Sequence, residues 1–264
     1  MNSNKLIRGV QYLNTTRREH RLHMIVNQFV ARCMHYRYAL WFYSIRTNQP
    51  LQLKFMLKTE HNAATNSPDH LYPHGTLLDN NTHYPFIHWC TTNIGQYKTI
   101  LDLGCAGGQL MYDFSRIRWY SCGLEGSYKH NAGAWNKHPN LFTCDISKPF
   151  EIKLLEDNPH KFDVITLWDV IEHLRMDELK QLFYNIKIHC HTNTLIFVTS
   201  DDNSCNPSGK AELHQTRFTK EGWQYWFNFY EFIDVTENYT SFKQYHWMKQ
   251  TGNGSQFILK PILF

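Results

Sequence analysis

The chain has 264 residues, 42% of them hydrophobic, which is enough to bury the core of one large domain of roughly 200 residues and to leave an extension. Its net charge of +4 is unevenly distributed, because residues 1–59 hold ten Lys and Arg against one acid, whereas residues 60–264 hold 17 against 22. The seven cysteines contain no C-x-x-C pair, which argues against a zinc motif or a disulfide framework, and no run reaches the roughly 18 to 20 apolar residues of a membrane span.

Residues 1–58 are predicted to form a basic, aromatic, helical N-terminal extension. Basic side chains interleaved with aromatic ones are suited to an RNA backbone, an acidic membrane surface or a partner protein. Alternatively, an apolar stripe between residues 18 and 45 packs on the main domain and the arginines are solvated. That stripe follows helical spacing and comprises Leu22, Ile25, Val26, Phe29, Val30, Cys33 and Met34.

The composition of the first 46 residues also bears on the compartment. This stretch is rich in arginine and poor in acids, as organelle transit peptides are, although a basic surface helix is the interpretation we favour. The scattered cysteines favour a reducing environment. We therefore expect a cytoplasmic protein, with the mitochondrial or another organelle matrix as the alternative.

Residues 59–82 separate this extension from the main domain. They are rich in Asn, His, Pro and Asp and have no periodicity, which predicts a linker or a lid over a site. The main domain is expected over residues 83–264 and begins with a helix at 83–95.

The first strand of the main domain runs into a glycine-rich turn. Thr99–Leu103 is short and mainly β-branched or aliphatic, as a strand buried on both faces would be. Gly104, Gly107 and Gly108 then permit a close approach to the backbone, and the helix that opens at Gln109 presents its N-terminus to polar or anionic groups. The stretch predicts a ligand-binding turn.

Strands and helices alternate after this turn, which predicts an α/β fold with a Rossmann-like, doubly wound sheet. The last two strands are separated by no convincing helix, so a hairpin at one edge of the sheet is expected. Strands are predicted at 119–124, 141–144, 162–168, 194–199, 232–237 and 255–262, and helices at 109–115, around 128–135, at 177–189 and at 220–229.

Two acids follow neighbouring strands of this sheet. Glu125 ends the second strand, and Asp145 comes directly after the third. Ligands of open α/β sheets bind at the carboxyl ends of the strands. A carboxylate roughly 20 residues after the glycines is placed to accept hydrogen bonds from ribose hydroxyls, and the second acid from an adenine amino group. Three strand ends therefore predict one adenosine pocket.

The combined motifs resemble those of class I S-adenosylmethionine-dependent methyltransferases over about residues 83–260. They are Asp102-Leu-Gly-Cys-Ala-Gly-Gly108, the acids Glu125 and Asp145, and the segment 162–173. The resemblance implies a seven-stranded sheet whose last strand is inserted antiparallel. It also implies S-adenosylmethionine as cofactor, with the methionine on the glycine turn, the ribose on Glu125 and the adenine amine on Asp145. The implied cofactor-binding residues are Asp102, Gly104, Cys105, Ala106, Gly108, Glu125, Gly126, Asp145, Ile146 and Trp168.

Catalysis is expected from the segment after the fourth strand and from His214. If Asp169 begins a helical turn, Glu172 and His173 share its face, and such a wall is suited to a general base or a divalent ion. We predict His214, Asp169 and His173 as catalytic residues. The spacing resembles the metal site of small-RNA 3′-terminal 2′-O-methyltransferases and a segment of ubiquinone-type O-methyltransferases. The resemblance implies Mg²⁺ or another divalent ion on Asp169, Glu172, His173 and His214; in the alternative, no metal binds and His173 orients its loop.

The sequence thus predicts an enzyme that moves a methyl group from S-adenosylmethionine to an oxygen of a small-molecule or sugar-like acceptor. One alternative is a metal-assisted RNA 2′-O-methyltransferase acting at a 3′ end. Another is a non-catalytic scaffold or assembly factor with this fold. In both alternatives, RNA or a partner protein binds the basic N-terminal extension. No transmembrane segment is expected under any of these hypotheses.

Overall fold

The computed structural model describes residues 26, 28–49, 53–71, 80, 82–127, 134–135, 137–154, 158–206, 209, 211–248 and 255–263. The strands are β1 (Met56–Thr59), β2 (Thr99–Leu103), β3 (Tyr120–Glu125), β4 (Leu141–Thr143), β5 (Phe150–Lys153), β6 (Phe162–Trp168), β7 (Cys190–Ser200), β8 (Phe232–Asp234) and β9 (Ser255–Pro261). The helices are α1 (residues 26 and 28–45), α2 (Pro68–Leu71), α3 (Tyr84–Asn93), α4 (Gln109–Arg116), α5 (Met176–Ile188) and α6 (Lys220–Phe229).

Seven strands form one sheet in the order β4-β3-β2-β6-β7-β9-β8. The five strands from β4 to β7 are parallel, whereas β9 is antiparallel to both β7 and β8. The last strand of the chain is therefore inserted between its two predecessors, which confirms the predicted doubly wound sheet and its antiparallel C-terminal hairpin. The parallel strands bring the ends of β2, β3, β4 and β6 to one edge, where ligands of such sheets bind.

The sheet is covered by apolar side chains on both faces. Successive residues of a strand point to opposite sides, so Ile100 joins one buried cluster with residues of α3 and α4. Its neighbour Leu101 joins the other cluster, which includes residues of α5 and α6. This double burial explains why β2 and β6 appear in the sequence as nearly continuous apolar runs.

A small second sheet was not predicted. β1 and β5 pair antiparallel, with Met56 opposite Lys153 and Thr59 opposite Phe150. The Asn140 side chain ties the start of this pair to the main sheet, because its Oδ1 accepts from the Phe55 N–H at 3.0 Å. The predicted boundary at residue 58 therefore falls inside a strand.

Some predicted elements differ from the observed ones at their ends. The strand predicted at 232–237 stops at Asp234, because Asp234 Oδ1 accepts hydrogen bonds from the N–H and hydroxyl of Thr236 and a 3₁₀ turn follows. β7 is longer than predicted and begins at Cys190. The helix predicted around 128–135 lies mostly outside the described residues, and Ala134 and Trp135 form a turn.

Helix α1 packs on the domain through a face other than the predicted stripe. Phe42 is 1% exposed, and its ring lies 4.9 Å from that of Tyr84 on α3. The expectation that the predicted stripe packs on the main domain is wrong for Val26, Phe29, Val30 and Cys33, which are exposed. None of the helices in the described part of the chain has both the length and the apolar composition needed to cross a membrane.

Candidate functional site

A cavity of about 490 Å³ opens at the carboxyl edge of the main sheet. Strand β3 reaches it through its last residue, Glu125, β6 through Trp168, and β2 through Gly104 in the turn that follows. Seven of the ten predicted cofactor residues line this single cavity: Gly104, Ala106, Glu125, Gly126, Asp145, Ile146 and Trp168.

The turn after β2 is fixed to the neighbouring strand. The backbone N–H groups of Gly104 and Cys105 both donate to the Leu124 carbonyl, at 2.8 and 2.9 Å. Gly104 and Ala106 adopt left-handed backbone conformations, with φ of 82° and 45°. An alanine in that region is strained by roughly 1–2 kcal/mol, so its conformation is held by the surrounding contacts. The turn is a rigid wall of the cavity.

The other three predicted cofactor residues do not line the cavity. Asp102 is 3% exposed, and its Oδ1 accepts a hydrogen bond from the Thr166 hydroxyl at 2.6 Å. Cys105 packs in the core cluster under α3 and α4. Gly108 is the N-cap of α4, with φ of 72°. These residues support the turn from beneath.

Glu125 is a buried carboxylate with several donors. Its Oε2 accepts from the Ala106 N–H at 2.9 Å, its Oε1 accepts from the Ser127 N–H at 3.1 Å, and His70 Nε2 lies 3.5 Å from Oε1. Burial by itself would raise the pKa of Glu125, but the His70 imidazole and the two N–H groups outweigh it and hold the pKa below its ordinary value. Burial likewise disfavours the charged form of His70, yet the Glu125 carboxylate raises the pKa of that imidazole. The contact therefore favours the charged form of both side chains.

His70 and its neighbour Asp69 were not predicted as site residues. They belong to residues 66–70, which line the cavity. The segment approaches closely because Gly126 has no side chain: a Cβ there would lie 2.2 Å from His70 Cε1. Ser67-Pro68 is a helix-start signal that could have located α2. No local pattern could have placed that helix against the end of β3, since the contact is distant in sequence.

The loop after β4 is shaped by Asp145 and held by α5. Asp145 Oδ1 accepts from the N–H and the hydroxyl of Ser147, at 3.0 and 2.7 Å. The Asn185 side chain of α5 is fully buried and donates to the carbonyls of Ile146 and Lys148, at 3.0 and 2.8 Å. The loop therefore presents Asp145 and Ile146 to the cavity in one defined conformation.

Asp169 does not begin the predicted helical turn. Its backbone is left-handed, with φ of 54°, and a 3₁₀ turn starts only at Ile171. Its Oδ1 accepts from the Thr199 hydroxyl at 2.6 Å, and its N–H donates to the same hydroxyl oxygen at 2.9 Å. Asp169 lines the cavity, but the shared helical face with Glu172 and His173 is not formed.

Glu172 lies under the cavity and is completely buried. Its Oε1 accepts from the Asp201 N–H at 2.9 Å, whereas its Oε2 is buried without a hydrogen bond within the described part of the chain. Burial raises the pKa of this carboxyl well above its ordinary value, and the negative charge of Asp169 acts in the same direction.

Two imidazoles lie next to each other in the wall of the cavity. The rings of His173 and His214 are 4.9 Å apart and nearly perpendicular. His214 Nδ1 lies 2.7 Å from the Asn203 carbonyl, which only accepts, so Nδ1 carries the proton and the neutral ring keeps a lone pair on Nε2. Burial lowers the pKa of His173, partly offset by Asp69, whose Oδ1 is 3.9 Å from Nδ1.

These imidazoles and Glu172 form a set with metal-ligand spacing. One ligand atom from each of Glu172, His173 and His214 lies within 4.8 Å of the others, whereas Asp169 is not part of the group. Glu172 Oε2 and His173 Nδ1 are buried and make no hydrogen bond among the described residues, so a cation would give both a partner. Two imidazoles and one carboxylate suit zinc or iron better than Mg²⁺, which prefers an all-oxygen shell.

The chain resembles known methyltransferases in sequence pattern and in fold. A family model described as a methyltransferase domain matches residues 68–252. The PH0226 protein of Pyrococcus horikoshii superposes with a TM-score of 0.51 at 13% identity, covering 74% of this chain and 99% of that one. The 1,6-didemethyltoxoflavin-N1-methyltransferase of Burkholderia thailandensis, solved with its acceptor and S-adenosylhomocysteine, gives a TM-score of 0.50 at 12% identity, covering 73% and 84%. No curated protein matches in sequence.

Proposed function

The chain belongs to the methyltransferase domain family and is a class I S-adenosylmethionine-dependent methyltransferase, and on that premise we propose that it methylates an oxygen of a small-molecule or sugar-like acceptor. One observation carries the proposal. Glu125 and Asp145 line the same cavity as His173 and His214. Carboxylates suited to adenosine and a pair of imidazoles in one cavity suit transfer to a group that must lose a proton.

The residues that line the cavity fit the cofactor. Glu125 is charged and faces the cavity, as a ribose-binding carboxylate must, and Asp145 is held by its loop beside Ile146. A volume of about 490 Å³ lies within the range of about 300–1,000 Å³ that is usual for small-molecule sites. We propose that the turn from Gly104 to Ala106 holds the methionine part. When bound, S-adenosylmethionine supplies an electrophilic methyl group.

The imidazole pair supplies the base. His214 Nε2 has a lone pair in the neutral ring and takes the proton of the acceptor hydroxyl as the new carbon–oxygen bond forms and the carbon–sulfur bond breaks. The neighbouring His173 stays neutral at pH 7 because burial lowers its pKa, so it does not repel the protonated His214 ring.

Metal-assisted methylation of a ribose 2′-hydroxyl at an RNA 3′ end is the second candidate. The set of Glu172, His173 and His214 favours it, because these three residues would hold a divalent ion through one carboxylate oxygen and two ring nitrogens. Such an ion would act as a Lewis acid on an oxygen of the acceptor. In this candidate His214 is a ligand and cannot serve as the base.

One labelled-transfer assay tests both candidates. The purified chain is incubated with methyl-labelled S-adenosylmethionine and either small-molecule or RNA fractions, with and without a chelator. Our proposal expects label in small molecules as a methyl ether, unaffected by chelation. The second candidate expects label at RNA 3′ ends, lost on chelation and on removal of the terminal 2′-hydroxyl. Label found only on nitrogen or only in protein would contradict both.

The variant His214→Asn separates the roles of this residue. Asparagine keeps an N–H donor for the Asn203 carbonyl but has no counterpart of Nε2. We expect the transfer rate to fall by about 10²- to 10⁴-fold, with unchanged affinity for S-adenosylhomocysteine by calorimetry. His191→Asn, on β7 outside the cavity, is the control. An unchanged rate in His214→Asn would exclude His214 as the base.

A further inference from the structure

One apolar face of α1 is left uncovered. We call it the outer face of α1; its exposed fractions range from 37% for Val30 to 68% for Tyr36. Between its ends, Val26 and Tyr43, the face is about 25 Å long at a rise of 1.5 Å per residue. At 100° per residue its members lie on one side of the helix: Val26, Phe29, Val30, Tyr36, Leu40 and Tyr43.

The opposite face of α1 is already packed. The rings of His35 and Phe42 lie 5.0 and 4.9 Å from that of Tyr84, and the Tyr38 ring lies 4.4 Å from that of His88. These contacts attach α1 to α3. At the end of the outer face the Tyr43 hydroxyl also lies 3.2 Å from that of Tyr84, and the other members of the face are exposed. A contiguous exposed apolar surface of this kind marks an interaction site.

Positive charge lies on and beside the outer face. Residues 20–59 contain no Asp or Glu. Arg32 and Arg37 are exposed; at 100° per residue Arg32 falls just beyond the edge of the face formed by Tyr43, and Arg37 falls between Val26 and Val30. Arg46 lies at its C-terminal end, with its guanidinium 4.1 Å from the centre of the Tyr43 ring. The helix therefore combines a long apolar strip with cationic side chains and no acid nearby in sequence.

We propose that the outer face of α1 docks on an anionic lipid surface, with the helix lying in the plane of the interface. Amphipathic helices of this composition bury their apolar side chains at the boundary of headgroups and acyl chains, while their basic side chains meet lipid phosphates. Val26, Val30 and Leu40 would enter the apolar layer, and Arg32 and Arg37 would remain at the headgroups.

Other occupants fit the face less well. RNA is bound through cationic side chains and through stacking on aromatic rings, and three of the six members of the face, Val26, Val30 and Leu40, supply neither. A second copy of the chain would bring Arg32 and Arg37 of both copies together, and residues 20–59 contain no acid to pair them. Residues 1–25 carry five basic residues and one acid, so their charge does not complement these arginines either.

Vesicle sedimentation with the full chain tests the proposal. We expect the protein to bind vesicles that contain phosphatidylglycerol and not vesicles of phosphatidylcholine alone. Phe29→Asp combined with Leu40→Asp should weaken binding by more than about tenfold, because two apolar side chains no longer enter the lipid. Arg32→Gln and Arg37→Gln should each weaken it by about fivefold at low salt.

Exposed aromatic residues on another helix provide the matched control. Tyr225 and Phe229 on α6 are 63% and 61% exposed, so Tyr225→Asp combined with Phe229→Asp changes charge and apolar area to a similar extent elsewhere. Retained vesicle binding in this control supports the proposal. The proposal is overturned if anionic vesicles are not bound at low salt, or if both double variants lose binding equally. It also fails if Phe29→Asp combined with Leu40→Asp leaves lipid binding unchanged and instead weakens RNA binding, or weakens self-association as measured by light scattering.

Discussion

Glu125 combines two properties that are hard to reconcile in one side chain. It is only 4% exposed, yet the two backbone N–H groups and the His70 imidazole keep it ionised. A buried charge of this kind is costly unless every lone pair finds a donor. The hydroxyls of a ribose would be further donors, which is the role that we propose for this carboxylate.

Glu125→Gln should therefore weaken cofactor binding strongly, although the substitution hardly changes the shape of the side chain. Glutamine keeps the shape but loses the charge and one acceptor, and a hydrogen bond to a charged group contributes about 1.5–3 kcal/mol, or roughly 10- to 150-fold in affinity. Calorimetry with S-adenosylhomocysteine measures this directly. Glu151→Gln, on β5 outside the cavity, should leave the affinity unchanged. Equal affinities for the two variants would remove Glu125 from the site.

Site residues differ in how far the sequence could specify them. Glu125 and Asp145 could be assigned because each follows a buried strand, and the ends of parallel strands meet at one edge. His70 could not, since its position depends on a contact with Gly126 from a distant part of the chain. Asp169 was given a helical conformation from its spacing, but its hydrogen bonds with Thr199 select a left-handed one.

Helix α4 begins at a glycine that serves both the turn and the core. Gly108 has a left-handed backbone, and a Cβ there would lie 2.3 Å from Leu141 Cδ1 on β4. Gly209 has a similar φ of 66°, but a Cβ there would meet nothing within 4 Å. An alanine at either glycine would therefore have a strained backbone, but only an alanine at position 108 would also overlap a neighbouring side chain.

Gly108→Ala should be more destabilising than Gly209→Ala. In both variants the left-handed backbone should lower the free energy of unfolding by about 1–2 kcal/mol. At Gly108 alone, overlap of the new methyl group with Leu141 should lower it by about 1–3 kcal/mol more. Urea denaturation measures the free energy of unfolding. Combining Gly108→Ala with Leu141→Ala should recover part of the loss, as a favourable coupling in a double-mutant cycle. Equal destabilisation by the two glycine variants, with no such coupling, would contradict the steric explanation.

Elements of the main sheet were predictable where burial leaves a strong local pattern. β6 and α6 match their predicted bounds because each has a continuous apolar run or a regular stripe. β1 and β5 have four residues each and are stabilised by pairing with each other across the chain, so neither pattern stands out. In α1 the periodicity predicts a helix. Its apolar residues lie on more than one side, however, so the sequence does not specify which face packs on the domain.

Buried and partly buried histidines are distributed over the described part of the molecule. His83 lies at the start of α3, His138 contacts Ser121 on β3, and His246 lies in the turn near β9. His189 joins the small sheet to α5, because its ring accepts from the Ile152 N–H at 2.9 Å and lies 2.7 Å from the Asn185 carbonyl. Burial lowers the pKa of His83 to about 3 and the pKa values of the other three to about 4.

These histidines should make the fold sensitive to mild acid. Their pKa values are lower in the folded chain than the ordinary 6.5, so the unfolded chain binds more protons and the free energy of unfolding falls as the pH drops from about 6.5 to 4. His189 alone contributes up to about 3 kcal/mol to this loss of stability.

Urea denaturation between pH 4 and 8 measures how steeply the free energy of unfolding changes with pH, and His189→Gln should reduce this slope by up to about 1.4 kcal/mol per pH unit. His61→Gln, at an exposed position, should leave it unchanged. Stability that is constant or rises towards pH 4 would show that the buried rings are protonated in the folded protein.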